Sequence, residues 1–423
     1  MIKQALKDTD LSAVYYECKE LSEKSNVWNL LAAVSIQLKL TKPDFSSMEE
    51  TLEYLFQLST EKQFILVLDE YTYLQKMVNG IDSILQTLID QYQDTSGMKL
   101  ILCGSYVNIM KSLVEGSSPL YGRIRTVIDL KPMDYYDSQK FYPSFSNEDK
   151  VRADSVFGGI PYYNAQINDQ KSFHENLMDL IVSPDSRLED EVPDYIRSEI
   201  SKITNANEVF EALSRGFYRY SDIQANSHVS SSPALAEVLK KLIDMNVVAK
   251  EAPINDENNR KKTGYVISDN FSLFYYRYIF RYSSQRFLMD PEIFYNRYIR
   301  DDFERSYVPK QFENICKEYL IRMNRSGKTE EPFEKIGKYW YDIPSEHRNG
   351  EFDVVTQDQK GYIFYEAKFR EKPVTENMIE EEIRQVNETG LNCYRYGFIS
   401  RSGFQIENTD HRLILISLDD LYR

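Results

Sequence analysis

The sequence predicts a multidomain α/β protein, with a parallel sheet in its first third and a separate α/β unit in its last. Three observations carry this reading. Two runs, FILVLDE (64–70) and KLILCGS (99–105), are continuously apolar, as parallel strands covered on both faces are. Between them, IDSILQTLIDQYQ sets Ile81, Ile84, Leu85, Leu88, Ile89 and Tyr92 on one helical face. This completes a strand–helix–strand unit whose crossover is right-handed by default. From Phe312 onward a second alternation of helices and strands begins, and a chain of 423 residues is long enough for two or three cores.

In chain order, SAVYYEC (12–18) and RTVIDL (125–130) add two more strands to the first region, 1–135. Residues 136–194 read as a helical segment broken by GGIPYY at 158–163. Residues 195–268 read as three helices followed by VVAKEAP and GYVIS around the polar turn NDENNRKK, the order of a winged helix-turn-helix. Pro233 falls in the first turn of the third helix, where proline is tolerated. Residues 269–310 are aromatic-rich helices suited to packing between domains. The last region, 311–423, runs helix (FENICKEYLIRM), FDVV, GYIFYEAKF, helix (TENMIEEEIRQVNET), YRYGFIS and LILISL.

Composition narrows the function. With 51 basic and 66 acidic residues the net charge is -15, so any contact with nucleic acid must come from a local basic patch. Cys18, Cys103, Cys316 and Cys393 are far apart and lack paired metal spacing, which suits reduced thiols in the cytoplasm. The start, MIKQALKDTD, is polar and unlike a signal peptide. The aromatic stretch FSLFYYRYIFRY is interrupted by Arg277 and Arg281 and too short to span a bilayer. A soluble cytoplasmic protein with no membrane partner is expected.

Two groups of residues carry chemistry. In the first, the apolar run 64–68 ends in Asp69 and Glu70, the pattern of a Walker B segment. A carboxylate at the end of a buried strand can hold Mg²⁺, and the next one can orient an attacking water. The neighbouring strand ends in Cys103-Gly104-Ser105, which places a polar group at the adjacent tip. Arg123 and Arg125, in SPLYGRIR, are placed either to meet a γ-phosphate, in cis or across a subunit boundary, or to form surface ion pairs. In the second group, Glu366 and Lys368 lie two apart on GYIFYEAKF and share a strand face, while Asp353 ends a second apolar stretch with Glu351 on the same side. Two carboxylates on adjacent strands can hold Mg²⁺ beside a phosphodiester, and the lysine can steer water or stabilise charge. The alternative is a structural salt bridge from Glu366 to a nearby lysine.

Taken together, LVLDEYTYL, ILCGSYVNIM, SPLYGRIRTVIDLKPMDYY and GGIPYY resemble the archaeal and bacterial ATPases of the AAA+/STAND type with a restriction-endonuclease-like C-terminal domain. The resemblance implies a P-loop NTPase-like sheet, a helical lid, a winged helix and a PD-(D/E)XK nuclease-like domain. It assigns Asp69 to magnesium, Glu70 to the catalytic base, Ser105 to the strand-end sensor, Arg123 or Arg125 to the arginine finger, and the GGIP turn to the lid. The spacing of Asp353, Glu366 and Lys368 is similar to the nuclease core, with Glu313 on the preceding helix and Gln385 on the following one. ATP and Mg²⁺ are the cofactors it implies, DNA a partner, and a homo-oligomer the setting for an arginine acting in trans. Yet no G-x-x-x-x-G-K-[ST] occurs in the 423 residues, so the backbone cradle and lysine for the phosphates are missing. In the family that loop precedes a helix resembling MIKQALKD, and its strand sits between the sensor strand and RTVIDL. The expectation is therefore a sheet incomplete at its N-terminal side. In the winged-helix region, Arg260, Lys261 and Lys262 on the turn and Lys240 and Lys241 on the third helix are candidate DNA contacts. The start of that helix, SSPALAE, offers no side chain to read base edges, so the region serves either phosphate contact or packing.

Overall fold

The computed structural model describes residues 2–104, 107–191, 204–259, 262–343, 348–407 and 410–423. The chain divides into two compact units, Met1–Leu130 and Lys131–Arg423.

In the first unit the described elements are β1 (Ser12–Glu17), α1 (Glu23–Leu38), α2 (Met48–Glu61), β2 (Phe64–Asp69), α3 (Tyr71–Met77), α4 (Ile81–Tyr92) and β3 (Met98–Leu102). The sheet is parallel throughout, in the order β1-β2-β3. β2 is central and buried from Phe64 to Leu68, as its unbroken apolar run requires. Helix α2 begins in a capping box: the Ser47 hydroxyl accepts from the Glu50 N–H, and the Glu50 carboxylate reaches back to the Ser47 N–H. Its apolar face, Leu52, Leu55 and Phe56, joins Leu85 and Leu88 of α4 in the core around β2.

The expected strand RTVIDL is a correction. Residues 125–130 are extended chain outside any sheet, with Val127, Ile128 and Leu130 exposed. The physical reason is that β3 forms the edge of the sheet, so no described strand lies next to it for RTVIDL to pair with. For the same reason β3 is only partly buried despite its apolar sequence.

The second unit holds α5 (Asn147–Phe157), α6 (Ala206–Ser214), α7 (Tyr220–Asn226), α8 (Ser232–Asp244), β4 (Val248–Glu251), β5 (Gly264–Ile267), α9 (Val308–Arg325), β6 (Lys335–Ile343), β7 (Arg348–Gln357), β8 (Tyr362–Lys368), β9 (Val374–Thr375), α10 (Glu376–Glu388), β10 (Cys393–Ser400), β11 (Phe404–Gln405) and β12 (Leu413–Ser417). Short helical turns fill 270–307, and their aromatic rings, among them Phe274, Tyr276, Tyr278, Phe280, Phe303 and Tyr307, pack against one another. A single core runs from Tyr135 through α5, α6, α8 and α9 to Leu421. The main sheet has the order β12-β10-β8-β7-β6, parallel across β12-β10-β8 and antiparallel across β8-β7-β6. Helices α6, α7 and α8 are followed by the antiparallel hairpin β4–β5. Strand β6 escaped the sequence reading because its alternation is interrupted by Gly337 and Lys338, at an irregularity in its pairing with β7.

The GGIPYY turn packs closely against the chain at 133. The Met133 N–H donates to the Gly159 carbonyl at 2.9 Å, and a Cβ on Gly159 would stand 1.9 Å from the Met133 carbonyl oxygen. Gly159→Ala is therefore expected to destabilise the second unit by roughly 2–4 kcal/mol. Chemical denaturation of the two proteins, followed by tyrosine fluorescence, checks this.

Candidate functional site

At the end of β2, Asp69 accepts from three donors. These are the Tyr15 hydroxyl, the Cys103 thiol at 3.0 Å and the Glu70 N–H at 3.1 Å. Tyr15 belongs to β1 and Cys103 follows β3, so neighbouring strands on both sides fix this carboxylate. Burial opposes its charge, but the three hydrogen bonds and the nearby Lys3 outweigh it, and its pKa falls below the ordinary aspartate value. The Cys103 thiol is pushed up by burial and by Asp69 itself. Glu70 takes a left-handed backbone with φ 51°, which turns the chain from β2 straight into α3. Ser105 lies outside the described residues. Arg123 forms a two-pronged ion pair with Asp90 of α4, at 2.7 and 2.6 Å, and donates to the carbonyls of Pro119 and Tyr121. Arg125 is exposed.

The second group is built where α9 crosses β7 and β8. The β7–β8 ladder ends at the pair Val354 and Tyr365, and Asp353 and Glu366 are the first residues beyond it on the two strands. On its other side β7 carries a bulge: Gly337 pairs with Val355 and Tyr339 with Phe352, leaving Asp353 and Val354 together opposite Lys338. Such a bulge re-aims a side chain. It turns Asp353 toward Lys310 of α9, whose ammonium lies 2.7 Å from Asp353 and 2.6 Å from Glu313. Lys338 stands 3.8 Å from Asp353, 3.4 Å from Glu351 and 3.7 Å from Glu251 of the β4–β5 hairpin. Across β8, Lys368 contacts Glu366 directly and Glu382 of α10 at 3.4 Å.

Of the predicted residues, the fold thus brings Glu313, Asp353, Glu366 and Lys368 to one region. Gln385 lies a turn beyond Glu382 and donates to Glu381 of its own helix. Sequence reasoning missed Lys310, Lys338 and Glu382. The signals for Lys310 and Glu382 were their helical spacing, three residues from the predicted Glu313 and Gln385. Lys338 gave none, because only the bulge brings it to Asp353.

The electrostatics follow from burial. Desolvation opposes the Asp353 charge, but Lys310 and Lys338 outweigh it and hold the pKa below the usual range. Burial pushes Glu313 up to about 7, with Asp353 adding to the shift and Lys310 opposing it. Burial also raises Glu366, opposed by Lys368. One face of α9 further on, Glu318 is raised to about 7 by burial and by Asp134, even though it accepts from the Tyr135 N–H at 2.9 Å.

The candidate DNA contacts are differently placed. The hairpin turn is docked on β6: the Ile254 N–H donates to the Lys338 carbonyl, and Asn255 bonds both to and from the Trp340 backbone. Lys262 is engaged there, 2.6 Å from Asp256 and over the Trp340 ring. Arg260 and Lys261 lie outside the described residues. Lys241 pairs with Glu237 at 2.6 Å, and Lys240 is exposed.

The architecture is that of a mixed α/β multidomain protein with a parallel sheet in its first unit. Its fold is similar to that of the Walker-type ATPase of Pyrococcus abyssi, with a TM-score of 0.50 and 17% identity over 65% of this chain and 87% of that one. An ORC2 protein of Aeropyrum pernix, solved in ADPNP-ADP complexes, aligns with a TM-score of 0.43 and 11% identity, over 67% of this chain and 82% of that one. Residues 275–386 match DUF234, a family of archaeal and bacterial proteins of unknown function. Over 414 residues the chain is 28% identical to an uncharacterised protein of Methanocaldococcus jannaschii, covering 95% of this chain and 91% of that one. Among the described residues no helix is long and apolar enough to cross a membrane.

The two raised carboxyls of α9 set a pH dependence. Their folded pKa of about 7 lies above the unfolded value, so their contribution to stability is full at low pH and is lost as pH rises through 7. Between about pH 4.5 and 7.5 stability is expected to fall by roughly 2–3 kcal/mol per group. Glu313→Gln and Glu318→Gln should each flatten that slope in urea titrations across the range.

Proposed function

We propose that this chain processes nucleic acid, with an ATPase-type sheet joined to a C-terminal domain that cleaves phosphodiester bonds with Mg²⁺. The observation that carries the reading is that Asp353, at a bulge, and Glu366 both stand just beyond the end of the β7–β8 ladder, with Lys368 two residues along β8. A cation-binding role suits these groups. Their donors are carboxylate oxygens, which Mg²⁺ prefers, and the pKa of Asp353 is held below the usual range while burial, with a smaller contribution from Asp353, raises Glu313 and Glu366. Among the described residues no three potential ligands converge on one point, but Mg²⁺ is usually held by one or two carboxylates completed by water and substrate phosphate. Asp353 and Glu366 would hold the ion, which supplies Lewis acidity to the scissile phosphate. Lys368, set between Glu366 and Glu382, is positioned to orient a water or to neutralise charge building on the phosphate. Glu313 on α9 shares the Lys310 ammonium with Asp353, and Gln385 on α10 is the position that the family resemblance would add.

The first unit, in this reading, belongs to the same ATPase class, with Asp69 toward magnesium, Glu70 toward water and Arg123 or Arg125 toward phosphate. Its nucleotide affinity should be low, because no residue run in the chain supplies a phosphate cradle. The hairpin serves packing more than DNA contact, since Lys262 is already engaged with Asp256 and Trp340. Among the described candidates of that region, Lys240 on α8 is exposed and open to a phosphate contact.

Two measurements test the proposal. Incubation of the full chain with single- and double-stranded DNA and RNA should give cleavage that depends on Mg²⁺ or Mn²⁺. Asp353→Ala and Lys368→Ala should each lower it at least about a hundredfold, and cleavage unchanged by both removes the site. Calorimetric titration with Mg²⁺·ATP should show no micromolar binding, and a micromolar constant would overturn the account of the first unit.

A further inference from the structure

Asp353 and Glu366 both stand just beyond the end of the β7–β8 ladder, yet each is turned toward its own ammonium group. Asp353 is drawn to Lys310 of α9 and, more distantly, to Lys338, whereas Glu366 contacts Lys368, which α10 backs with Glu382. The Lys310 ammonium reaches two carboxylates, Asp353 and Glu313, at 2.7 and 2.6 Å. Bridging two carboxylates at such distances is what a bound cation does.

We propose that Lys310 is a resident counter-ion, and that a divalent cation enters this site by displacing it from Asp353 and Glu313. The inference rests on the metal-dependent reading above and adds its control: the site holds its own cation until metal, or metal carried with a phosphate substrate, competes it away. Three features fit this role. Lys310 is the most exposed of the lysines here, with about half its side chain in water (52%), so its long chain can swing out. Lys338 and Lys368, at 15% and 27%, are more enclosed and suited to stay. Removing the bridging ammonium would leave Asp353 and Glu313 without their shared cation, a place that an incoming cation can take. Lys310 is in this sense a positioning residue, not one that touches reacting atoms.

The test is metal affinity, read without activity. Mn²⁺ is titrated into the full chain and free ion is followed by electron paramagnetic resonance, for wild type, Lys310→Met, Lys310→Arg and Asp353→Asn. Lys310→Met should bind Mn²⁺ about tenfold more tightly than wild type. Lys310→Arg, which keeps a cation in place, should stay close to wild type, and Asp353→Asn should lose the site. Should Lys310→Met not fold, the wild type answers alone. After reductive ¹³C-methylation, the Lys310 resonance, identified by its absence in Lys310→Arg, should shift as diamagnetic Mg²⁺ is added. Binding that Asp353→Asn abolishes but Lys310→Met leaves unchanged or weaker overturns the displacement and spares the metal site. A Lys310 resonance unmoved by saturating Mg²⁺ does the same. No Mn²⁺ binding by either wild type or Lys310→Met removes the metal reading and this inference together.

Discussion

Helix α9 is the constraint on which the second unit depends. Val308, Phe312, Ile315, Cys316 and Leu320 bury one stripe of it in the large core, with Phe312 against Phe369. Its charged residues then have no choice but to sit at the margins of that core, where water is scarce. Toward the sheet, Lys310 and Glu313 meet Asp353; toward the segment before α5, Glu318 meets the Tyr135 backbone and Arg322 meets Asp134. Each contact offsets a desolvation cost that the apolar stripe imposes. The same burial that stabilises the helix is therefore what tunes the carboxyls around it.

This coupling explains why the candidate site resembles a network of ion pairs more than an open cavity. A carboxylate in a half-buried place must find a cation, and at this site the cations within reach are Lys310, Lys338 and Lys368. The bulge in β7 makes the arrangement possible, since an unbroken ladder would not place Asp353 and Val354 together opposite Lys338. The docked hairpin adds Glu251 to the same network. Contacts of this kind tie the helical segment, the hairpin and the sheet into one cooperative unit, in which a change at Asp353 is felt on three elements.

The first unit follows a different logic. Asp69 is held by Tyr15, Cys103 and the Glu70 N–H, and this clamp keeps the end of β2 in register with the strands on either side. The Walker B pattern was legible as an apolar strand ending in acids, but the clamp was not, because Tyr15 lies 54 residues away in sequence and reads simply as a strand tyrosine. The ion-pair alternative for Arg123 was open from the sequence, and Asp90 is where its guanidinium lies. RTVIDL had every local mark of a strand. A strand, however, is completed by its neighbour, and local propensity cannot supply one.

What the sequence determined by itself was the class of each segment: the strands 64–69 and 98–102, the amphipathic helix between them, the three helices and hairpin, and the pair Glu366 and Lys368 on one strand face. These follow from periodicity and short-range spacing, which the chain carries in its local order. What only the tertiary structure decided was which charges meet. Lys310, Lys338 and Glu382 come to Asp353, Glu366 and Lys368 through a helix crossing, a one-residue bulge and a docked hairpin. The reason is physical: an ion pair is set by distance in space and by loss of water, and neither is written in the spacing of residues along the chain.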